Sequence, residues 1–208
     1  MGEQKRYVVT GIGTDVGKTV VSAIIAQALE ADYWKPIQSG ELENSDSNKI
    51  DRLTDEKVHI LPERYRLTEP MSPHASAAID GIELQLSELT LPETNRNLLV
   101  EGAGGLMVPI NETDLLIDAF KMWNLPVIIV SRHYVGSINH TLLTIEALQN
   151  RGIAIKGLVF VGDENPATES FILNHSNVPF LTRIPIANEV TADFVQEQAS
   201  KLKELNCL

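Results

Sequence analysis

Four short, almost continuously apolar segments alternate along the chain with segments of helical periodicity. The apolar segments, rich in β-branched residues, are residues 7–11, 97–100, 126–131 and 156–161. Such runs are typical of parallel strands that are buried on both faces. The helical segments are residues 19–29, 114–123 and 137–151. This alternation predicts an α/β fold, with a single doubly wound, mainly parallel sheet flanked by helices.

The rest of the chain gives weaker structural signals. Residues 41–73 are polar and less periodic, which predicts a long loop with one short helix near residues 51–53. We find no internal repeat, no low-complexity tract and no linker in the sequence. Residues 1–208 are therefore expected to form a single domain.

Polar and glycine-rich stretches follow each of the four predicted strands. They read "GIGTDVGKT", "EGAGG", "SRHYVGSIN" and "GDEN" in chain order. The carboxyl ends of parallel strands meet at one edge of a sheet, where α/β proteins bind ligands. The sequence therefore predicts a binding site built from these four stretches.

The first stretch is similar to a phosphate-binding loop, with one additional residue. Five residues separate Gly11 from Gly17, whereas the usual P-loop pattern has four. A glycine turn between a strand and a helix directs backbone N–H groups at a phosphate, while Lys18 can reach its oxygens and Thr19 can ligate Mg²⁺. The alternative is a flexible turn with an exposed lysine. The strand before the loop and the helix after it favour the nucleotide site, and the wider loop indicates a variant family.

Three other residues suggest chemistry at the same edge. Lys35 stands in "WKPIQSG", Asp46 in "ENSDSN" and Glu101 at the tip of the strand "LLVE". A carboxylate that faces a phosphate loop suits Mg²⁺, which favours one or two carboxylates together with phosphate oxygens. Each residue also has an ordinary interpretation, as a solvated lysine, a turn aspartate or a strand-end acid.

Composition narrows the possible partners and location. The net charge of −11 disfavours nucleic acid or an anionic membrane as the main partner. The single cysteine, Cys207, excludes an intrachain disulfide. No apolar run of 18 residues and no leader segment are recognisable, so a cytoplasmic protein is expected.

Taken together, the motifs resemble those of the dethiobiotin synthetases, ATP-dependent P-loop enzymes of biotin synthesis. The shared motifs occur in order over nearly the whole chain: "GIGTDVGKT", Lys-Pro followed by Ser-Gly, "NSD", "SPH", "VEGAGG" and "GSINH". A P-loop alone occurs in many families, but the ordered set is specific.

The resemblance implies a reaction and a set of partners. Family enzymes use ATP, Mg²⁺ and CO₂ to carboxylate 7,8-diaminononanoate and close its ureido ring, through a carbamate and a carbamic-phosphoric anhydride. It implies a homodimer with a shared active site. The resemblance implies that Lys35, Lys18 and Thr14 are catalytic residues. It also implies that Thr19, Asp46 and Glu101 bind Mg²⁺.

It also implies binding residues. The substrate contacts are Ser39, Thr14, Gly104 and, from the other subunit, Asn139. The expected nucleotide contacts lie in four stretches of the chain: Gly13, Thr14, Asp15, Val16, Gly17, Lys18, Thr19 and Val20; Asp46; Glu101, Gly102, Ala103 and Gly104; and Gly162, Asp163, Pro185, Ile186 and Ala187.

Two positions depart from the family pattern. Family loops often carry Glu where this chain has Asp15, which is one methylene shorter. Gly162 replaces an Asn whose amide is expected to hydrogen-bond the adenine edge. Adenine recognition would then depend on backbone groups, on Asn165, or on Asp163 and the apolar wall at Pro185 and Ile186.

Two other functions use the same type of P-loop. Amide-forming synthetases of cobalamin biosynthesis carry a glutaminase domain with a nucleophilic cysteine, whereas this chain has only Cys207. Partitioning or septum-positioning ATPases carry an additional lysine early in the loop, where this chain has Ile12 and Gly13. Their amphipathic membrane tail is also missing, because the acidic tail here has little apolar face.

Overall fold

A computed structural model describes residues 4–208, which form a seven-stranded parallel sheet and a small two-stranded sheet. The strands are β1 (Arg6–Gly11), β2 (Asp32–Trp34), β3 (Ile37–Ser39), β4 (His59–Leu61), β5 (Tyr65–Leu67), β6 (Leu98–Glu101), β7 (Val127–Arg132), β8 (Ile155–Val161) and β9 (Phe180–Ile184). The helices are α1 (Lys18–Leu29), α2 (Asp46–Leu53), α3 (Pro73–Asp80), α4 (Leu116–Trp123), α5 (Ser137–Asn150), α6 (Pro166–Ser176) and α7 (Ala192–Leu205).

The order of the large sheet is β4-β2-β6-β1-β7-β8-β9, and β3 pairs with β5 in the small sheet. The predicted doubly wound, mainly parallel α/β fold is therefore confirmed. The four predicted strands are β6, β1, β7 and β8, which are neighbours in the centre of the sheet. The three predicted helices are α1, α4 and α5, with ends that shift by at most two residues.

The prediction for residues 41–73 was wrong in part. This segment contains α2, which begins at Asp46, and the strands β4 and β5. Each of these strands is three residues long, and β4 is partly exposed at the edge of the sheet. Such short strands carry little hydrophobic periodicity, so that their pairing depends on distant partners.

Packing of β2 determines which of its residues reach the site. Trp34 meets Trp123 of α4 edge-on with ring centroids 5.8 Å apart, and its indole N–H donates to the Pro62 carbonyl at 3.1 Å. Successive strand residues point to opposite faces of a sheet. Tyr33 and Lys35 therefore face away from Trp123, on the side of the Glu101 carboxylate.

The parallel arrangement brings the chemical residues to one edge. The P-loop follows β1, Lys35 follows β2, Glu101 is the last residue of β6, and Arg132 is the last residue of β7. Because these four strands are neighbours, the residues at their carboxyl ends converge. Among residues 4–208, no helix has both the length and the apolar character required to cross a membrane.

Candidate active site

The P-loop makes a tight turn between β1 and α1. Gly17 caps α1 with φ of 92°, a conformation that residues with a Cβ rarely adopt. The side chain of Lys18 is buried along the loop, and its Nζ donates to the Gly13 carbonyl oxygen at 2.8 Å. The loop thus holds the lysine ammonium at the helix N-terminus, where an anion is stabilised.

A buried ionic cluster lies beside the loop. Lys35 Nζ donates to Glu101 Oε1 at 3.1 Å and also forms an ion pair with Asp46 Oδ2. Thr19 Oγ1 donates to the same Glu101 Oε1 at 3.2 Å. The three predicted metal ligands and the predicted catalytic residue Lys35 are therefore joined in one chain of contacts, Thr19 to Glu101, Glu101 to Lys35 and Lys35 to Asp46, although they come from separate segments of the sequence.

The charges of this cluster stabilise one another. Burial alone lowers the pKa of Lys35, but the Glu101 and Asp46 carboxylates outweigh it and raise the pKa above its ordinary value. Burial likewise acts to raise the pKa of Asp46, whereas the Lys35 ammonium lowers it below the ordinary value. At neutral pH the cluster therefore contains a lysine cation and an Asp46 anion.

Lys18 differs from Lys35 in its electrostatic environment. Burial lowers the pKa of Lys18, and the Glu101 charge only partly opposes this effect. Its Nζ contacts a neutral carbonyl rather than a carboxylate. An anionic ligand would therefore gain more from Lys18 than from a lysine that is already paired.

Local structure fixes the position of Asp46. Ser45 is the N-cap of α2, with its hydroxyl accepting from the Asn48 N–H at 3.2 Å. The Asp46 N–H donates to Gln38 Oε1 at 3.3 Å, and Gln38 Nε2 donates to the Gly40 carbonyl at 2.9 Å. The loop between β3 and α2 is thus held against the end of β3.

The P-loop and the ionic cluster open onto a cavity of about 700 Å³. Predicted site residues that line it are Thr14, Asp15, Gly17, Lys18, Thr19, Val20, Lys35, Ser39, Asp46, Ala103 and Gly104. Glu101 is buried beneath this surface and reaches it through Thr19 and Lys35. A cavity of this size is in the range of small-molecule sites.

The structure separates other predicted residues from this cavity. Those absent from its lining are Gly13, Val16, Gly102, Asn139, Gly162, Asp163, Pro185, Ile186 and Ala187. Gly13 contributes its carbonyl to Lys18, and Gly102 lies directly after Glu101, donating its N–H to the Val9 carbonyl at 2.9 Å. Asn139 is exposed on the first turn of α5.

The predicted nucleobase stretch lies at the ends of β8 and β9, next to Val161 of the cavity wall. Gly162 has φ of 104°, and its N–H donates to the Ile184 carbonyl at 2.9 Å. A Cβ at Gly162 would lie 3.4 Å from the Ile186 side chain, so the glycine packs closely against the apolar wall. Asn165 Oδ1 caps α6 by accepting from the Thr168 N–H at 3.1 Å, which occupies one of the groups expected for base recognition.

Glu169 anchors this stretch. Its carboxylate forms an ion pair with Arg183 and accepts from the Asn165 N–H at 3.0 Å, and it lies 2.7 Å from His133 Nε2. Despite the opposing effect of burial, the hydrogen bond from Arg183 and the other donors lower the pKa of Glu169 to about 2. Arg183 Nη1 also donates to the Asp163 carbonyl at 3.3 Å. The loop after β8 is therefore tied to β9.

Sequence reasoning missed four residues of the site. Lys49 and Arg132 add positive charge to the cavity wall, Gln38 holds the loop that carries Asp46, and Tyr33 donates to Glu101 Oε2 at 3.1 Å. The two-residue spacing of Tyr33 and Lys35 was the available signal for Tyr33. Arg132 follows a predicted strand, which was the signal for that residue.

Thr19, Asp46 and Glu101 form a donor set that suits Mg²⁺. Carboxylate and hydroxyl oxygens are hard ligands, and magnesium commonly takes one or two carboxylates and completes its shell with phosphate oxygens and water. In residues 4–208 there is no group of three or more His, Cys, Asp or Glu side chains that would form a complete protein cage. Two carboxylates and one hydroxyl next to a phosphate-binding loop fit a metal that is shared with a bound phosphate.

The fold and the site together define the class of this protein as a P-loop nucleotide-binding α/β protein. A family model described as an AAA domain matches residues 5–193, in agreement with this class. The relatives identify the family. The ATP-dependent dethiobiotin synthetase of Christiangramia forsetii is 52% identical over 204 residues, covering 98% of each chain. That of Cytophaga hutchinsonii is 46% identical, covering 95% of this chain and 97% of the relative. The chain belongs to the ATP-dependent dethiobiotin synthetase family.

Solved structures share the fold at low sequence identity. The cell division ATPase MinD of Pyrococcus furiosus superposes with a TM-score of 0.64 at 15% identity, over 97% of this chain and all (100%) of that one. A plasmid partition protein from Borrelia burgdorferi gives 0.60 at 13% identity, over 99% and 98% of the two chains. These similarities concern the fold, which many functions share.

Proposed function

We propose that this protein is an Mg²⁺- and ATP-dependent ligase that converts 7,8-diaminononanoate and CO₂ to dethiobiotin in the cytoplasm. The proposal includes a single catalytic domain over residues 1–208. The observation that carries it is the buried cluster of Lys35, Asp46 and Glu101 next to the P-loop, at the wall of one cavity. The motifs that form this cluster are the ones shared with the synthetases, and the relatives cover nearly the whole chain.

The reaction requires three steps. One amine of the substrate adds to CO₂ and loses a proton, which gives a carbamate. A carbamate oxygen then attacks the γ-phosphorus of ATP, and ADP leaves. The second amine attacks the carbonyl carbon of the mixed anhydride, phosphate leaves with the carbonyl–oxygen bond electrons, and loss of the amine proton completes the cyclic urea.

Two lysines supply the positive charge that these reaction steps need. The carbamate and the γ-phosphate are both anions, so their approach is opposed by repulsion. Lys18 and Lys35 both line the cavity, and we assign them to neutralising the phosphate and the carbamate respectively. Phosphoryl transfer depends mainly on such positioning and charge neutralisation.

Thr19, Asp46 and Glu101 would hold Mg²⁺ in this mechanism. When bound, the metal withdraws negative charge from phosphate oxygens and thereby supports transfer. Lys35 contacts both carboxylates, so the two residues that would hold the metal already hold a lysine cation. We therefore expect Lys35 to shift towards the substrate anions when metal and nucleotide are present.

The substrate polar groups are assigned to Thr14, Ser39 and Gly104. All three line the cavity on the side of Lys35 and the P-loop. Ser39 Oγ is buried and has no hydrogen-bond partner among residues 4–208. A buried hydroxyl without a partner is costly, so a ligand group that binds there would be stabilised.

Nucleotide selectivity is expected to be weak, because Gly162 has no side chain to read the base edge. The apolar wall at Pro185 and Ile186 can stack on any base. We predict that CTP, GTP and UTP replace ATP with losses in kcat/KM below about a thousandfold, roughly 4 kcal/mol. The measurement is kcat/KM for the four nucleotides under identical Mg²⁺ concentrations.

Ile186→Ala serves as the comparison variant for this measurement. It removes the exposed apolar side chain that would stack on the base, and it removes no hydrogen bond. It should raise KM for all four nucleotides by similar factors. Gly162→Asn is a less suitable variant, because φ of 104° makes any side chain strained. A wild-type preference for ATP above the thousandfold limit would contradict the prediction and indicate a backbone contact to adenine.

A homodimer with a shared site is part of the proposal. Asn139 is exposed at the start of α5, away from the cavity of its own chain. Around it lie the exposed apolar residues Tyr134, Val135, Ile138 and Leu143, which are suited to a protein interface. In a two-fold dimer this helix N-terminus would bring Asn139 to the substrate carboxylate of the other subunit.

Hybrid dimers test the shared site. Lys35→Met and Asn139→Ala proteins should each be nearly inactive, whereas their equimolar mixture should recover roughly one quarter of wild-type activity, because half of the dimers are hybrids with one intact site. The control mixture combines Lys35→Met with Lys18→Ala. These two residues belong to the same site, so no hybrid contains an intact one. Absence of recovery in the first mixture, with subunit exchange verified, would contradict the shared site.

The overall function is tested by direct product analysis. The protein is incubated with 7,8-diaminononanoate, bicarbonate, Mg²⁺ and ATP, and the cyclic urea is measured by mass spectrometry together with ADP. We expect product only when all four components are present. ATP hydrolysis that is independent of the diamine and stimulated by a polymer partner would instead support the partitioning-type switch, which the sequence relatives do not favour.

A further inference from the structure

Tyr33 is buried in the site and stands outside the set of predicted functional residues. Its ring is completely enclosed, and its hydroxyl donates to Glu101 Oε2 at 3.1 Å. Glu101 Oε1, the other oxygen, accepts from Thr19 and Lys35 at 3.2 and 3.1 Å. The two carboxylate oxygens are thus divided between a neutral phenol and the polar wall of the cavity.

The phenol remains a hydrogen-bond donor at physiological pH. Burial, together with the nearby Glu101 and Asp46 charges, raises the pKa of Tyr33 well above its ordinary value. A protonated phenol can neutralise no charge, but it can satisfy one lone pair of a buried carboxylate. The terminal torsion of a glutamate is intrinsically broad, so this donor fixes the second oxygen of a carboxylate that Thr19 and Lys35 hold only at the first.

Strand geometry explains why Tyr33 and Lys35 act on the same carboxylate. They are two residues apart and therefore point to the same face of β2 and its extension. The parallel register pairs Tyr33 with Leu99 and Trp34 with Val100, which places Lys35 beside Glu101. Tyr33, two residues before Lys35 on the same face, reaches the same carboxylate.

We infer that Tyr33 is a positioning residue for metal binding: its hydroxyl holds Glu101 Oε2 so that Oε1 is presented to the cation shared with the nucleotide. The inference rests on the proposed function, because it assigns Glu101 to Mg²⁺. Partners that orient metal ligands typically change metal affinity or activity by 10–100-fold when they are removed. Tyr33 touches neither the substrate nor the metal in this role.

The test compares Tyr33→Phe with Tyr65→Phe. Both variants lose one phenol–carboxylate hydrogen bond, but Tyr65 bonds Glu88 in a different part of the fold. Metal affinity is measured directly, by electron paramagnetic resonance of free Mn²⁺ titrated into the protein with a non-hydrolysable ATP analogue. We expect the Mn²⁺ dissociation constant to rise about 10–100-fold in Tyr33→Phe and to stay near wild type in Tyr65→Phe.

Activity provides the second readout. The Mg²⁺ concentration for half-maximal turnover should rise with the Mn²⁺ dissociation constant, while kcat at saturating Mg²⁺ should stay close to the wild-type value. In a Glu101→Gln background, Tyr33→Phe should add little to the loss of metal affinity. The carboxylate that the Tyr33 hydroxyl orients is already absent from that variant. Equal metal affinity in wild type and Tyr33→Phe would overturn the inference.

Thermal unfolding separates positioning from simple structural support. If Tyr33→Phe does not fold, Tyr33→Met fills a similar apolar volume without the hydroxyl and takes its place. Failure of both to fold would overturn the positioning role in favour of a purely structural one. Failure of the proposed function is distinguishable, since wild type would then form no cyclic urea even at high Mg²⁺.

Discussion

Replacing Lys35 with methionine is expected to lower kcat by about 10²–10³-fold, on the order of 3 kcal/mol, because the preorganised cation assigned to the carbamate is lost where the two anions meet. Methionine retains most of the buried stem, so the change is mainly one of charge. We expect KM for ATP to change much less, since Lys18 and the P-loop bind the nucleotide. Steady-state kinetics at saturating Mg²⁺ provide the measurement.

The same variant should also change stability in a characteristic way. Without the Lys35 ammonium, the buried Glu101 charge and the partly exposed Asp46 charge are left together, and breaking a buried pair such as Lys35–Glu101 costs roughly 3–5 kcal/mol. Mg²⁺ with nucleotide should restore part of this loss, which a thermal melt can detect.

Lys57→Met is the matched control for Lys35→Met, because Lys57 forms an exposed ion pair with Glu30 at 3.0 Å, and such pairs contribute little. It should leave both rate and melting temperature near wild type. Equal turnover by Lys35→Met and wild type would remove this lysine from the mechanism. Lys18→Ala should be more damaging still, with loss of nucleotide binding as well as rate.

Glu101→Gln is expected to weaken Mg²⁺ binding by at least ~100-fold and to lower the rate at physiological Mg²⁺ accordingly. Removing a residue that only orients a metal ligand already lowers metal affinity by up to that factor, and Glu101 is assigned as a ligand itself. Glutamine keeps the shape of the side chain but removes its charge and replaces one acceptor oxygen with an N–H donor group. Asp46→Asn should act in the same direction. The measurement is the Mg²⁺ dependence of turnover at fixed ATP.

Glu88→Gln is the control for both carboxylate variants. Glu88 accepts from Arg64 and Tyr65 in a partly exposed position, away from the cavity lining. Its replacement should not alter the Mg²⁺ dependence. If neither Glu101→Gln nor Asp46→Asn alters it either, the two carboxylates are structural, and their ion pairs with Lys35 only stabilise the fold.

The central strands and the P-loop could be predicted from the sequence because their signals are local. A buried strand such as residues 126–131 is an almost continuous apolar run, and the glycine loop is one uninterrupted motif. The glycines, Lys18 and Thr19 lie within a few residues of one another, so their geometry follows from one strand–turn–helix unit.

The shortest strands could not be predicted in the same way. β2 and β4 have three residues each, and they are stable because Tyr33 pairs with Leu99 on one side and with Ile60 on the other. The stability of such a strand comes from packing and hydrogen bonding to distant chain segments. A run of three residues is too short to show this as a hydrophobic pattern. Lys35 was recognised by its motif, but its neighbours were not.

Residue types and local order were therefore sufficient to indicate an α/β P-loop protein, the family resemblance and the set Lys18, Thr19, Lys35, Asp46 and Glu101. The contacts among these residues depended on the folded sheet. Glu101 meets Lys35 and Tyr33 across sequence separations of 66 and 68 residues, through the register of β2 against β6. Parallel pairing brings distant strand ends together, and a one-residue shift of that register would turn these side chains to the opposite face.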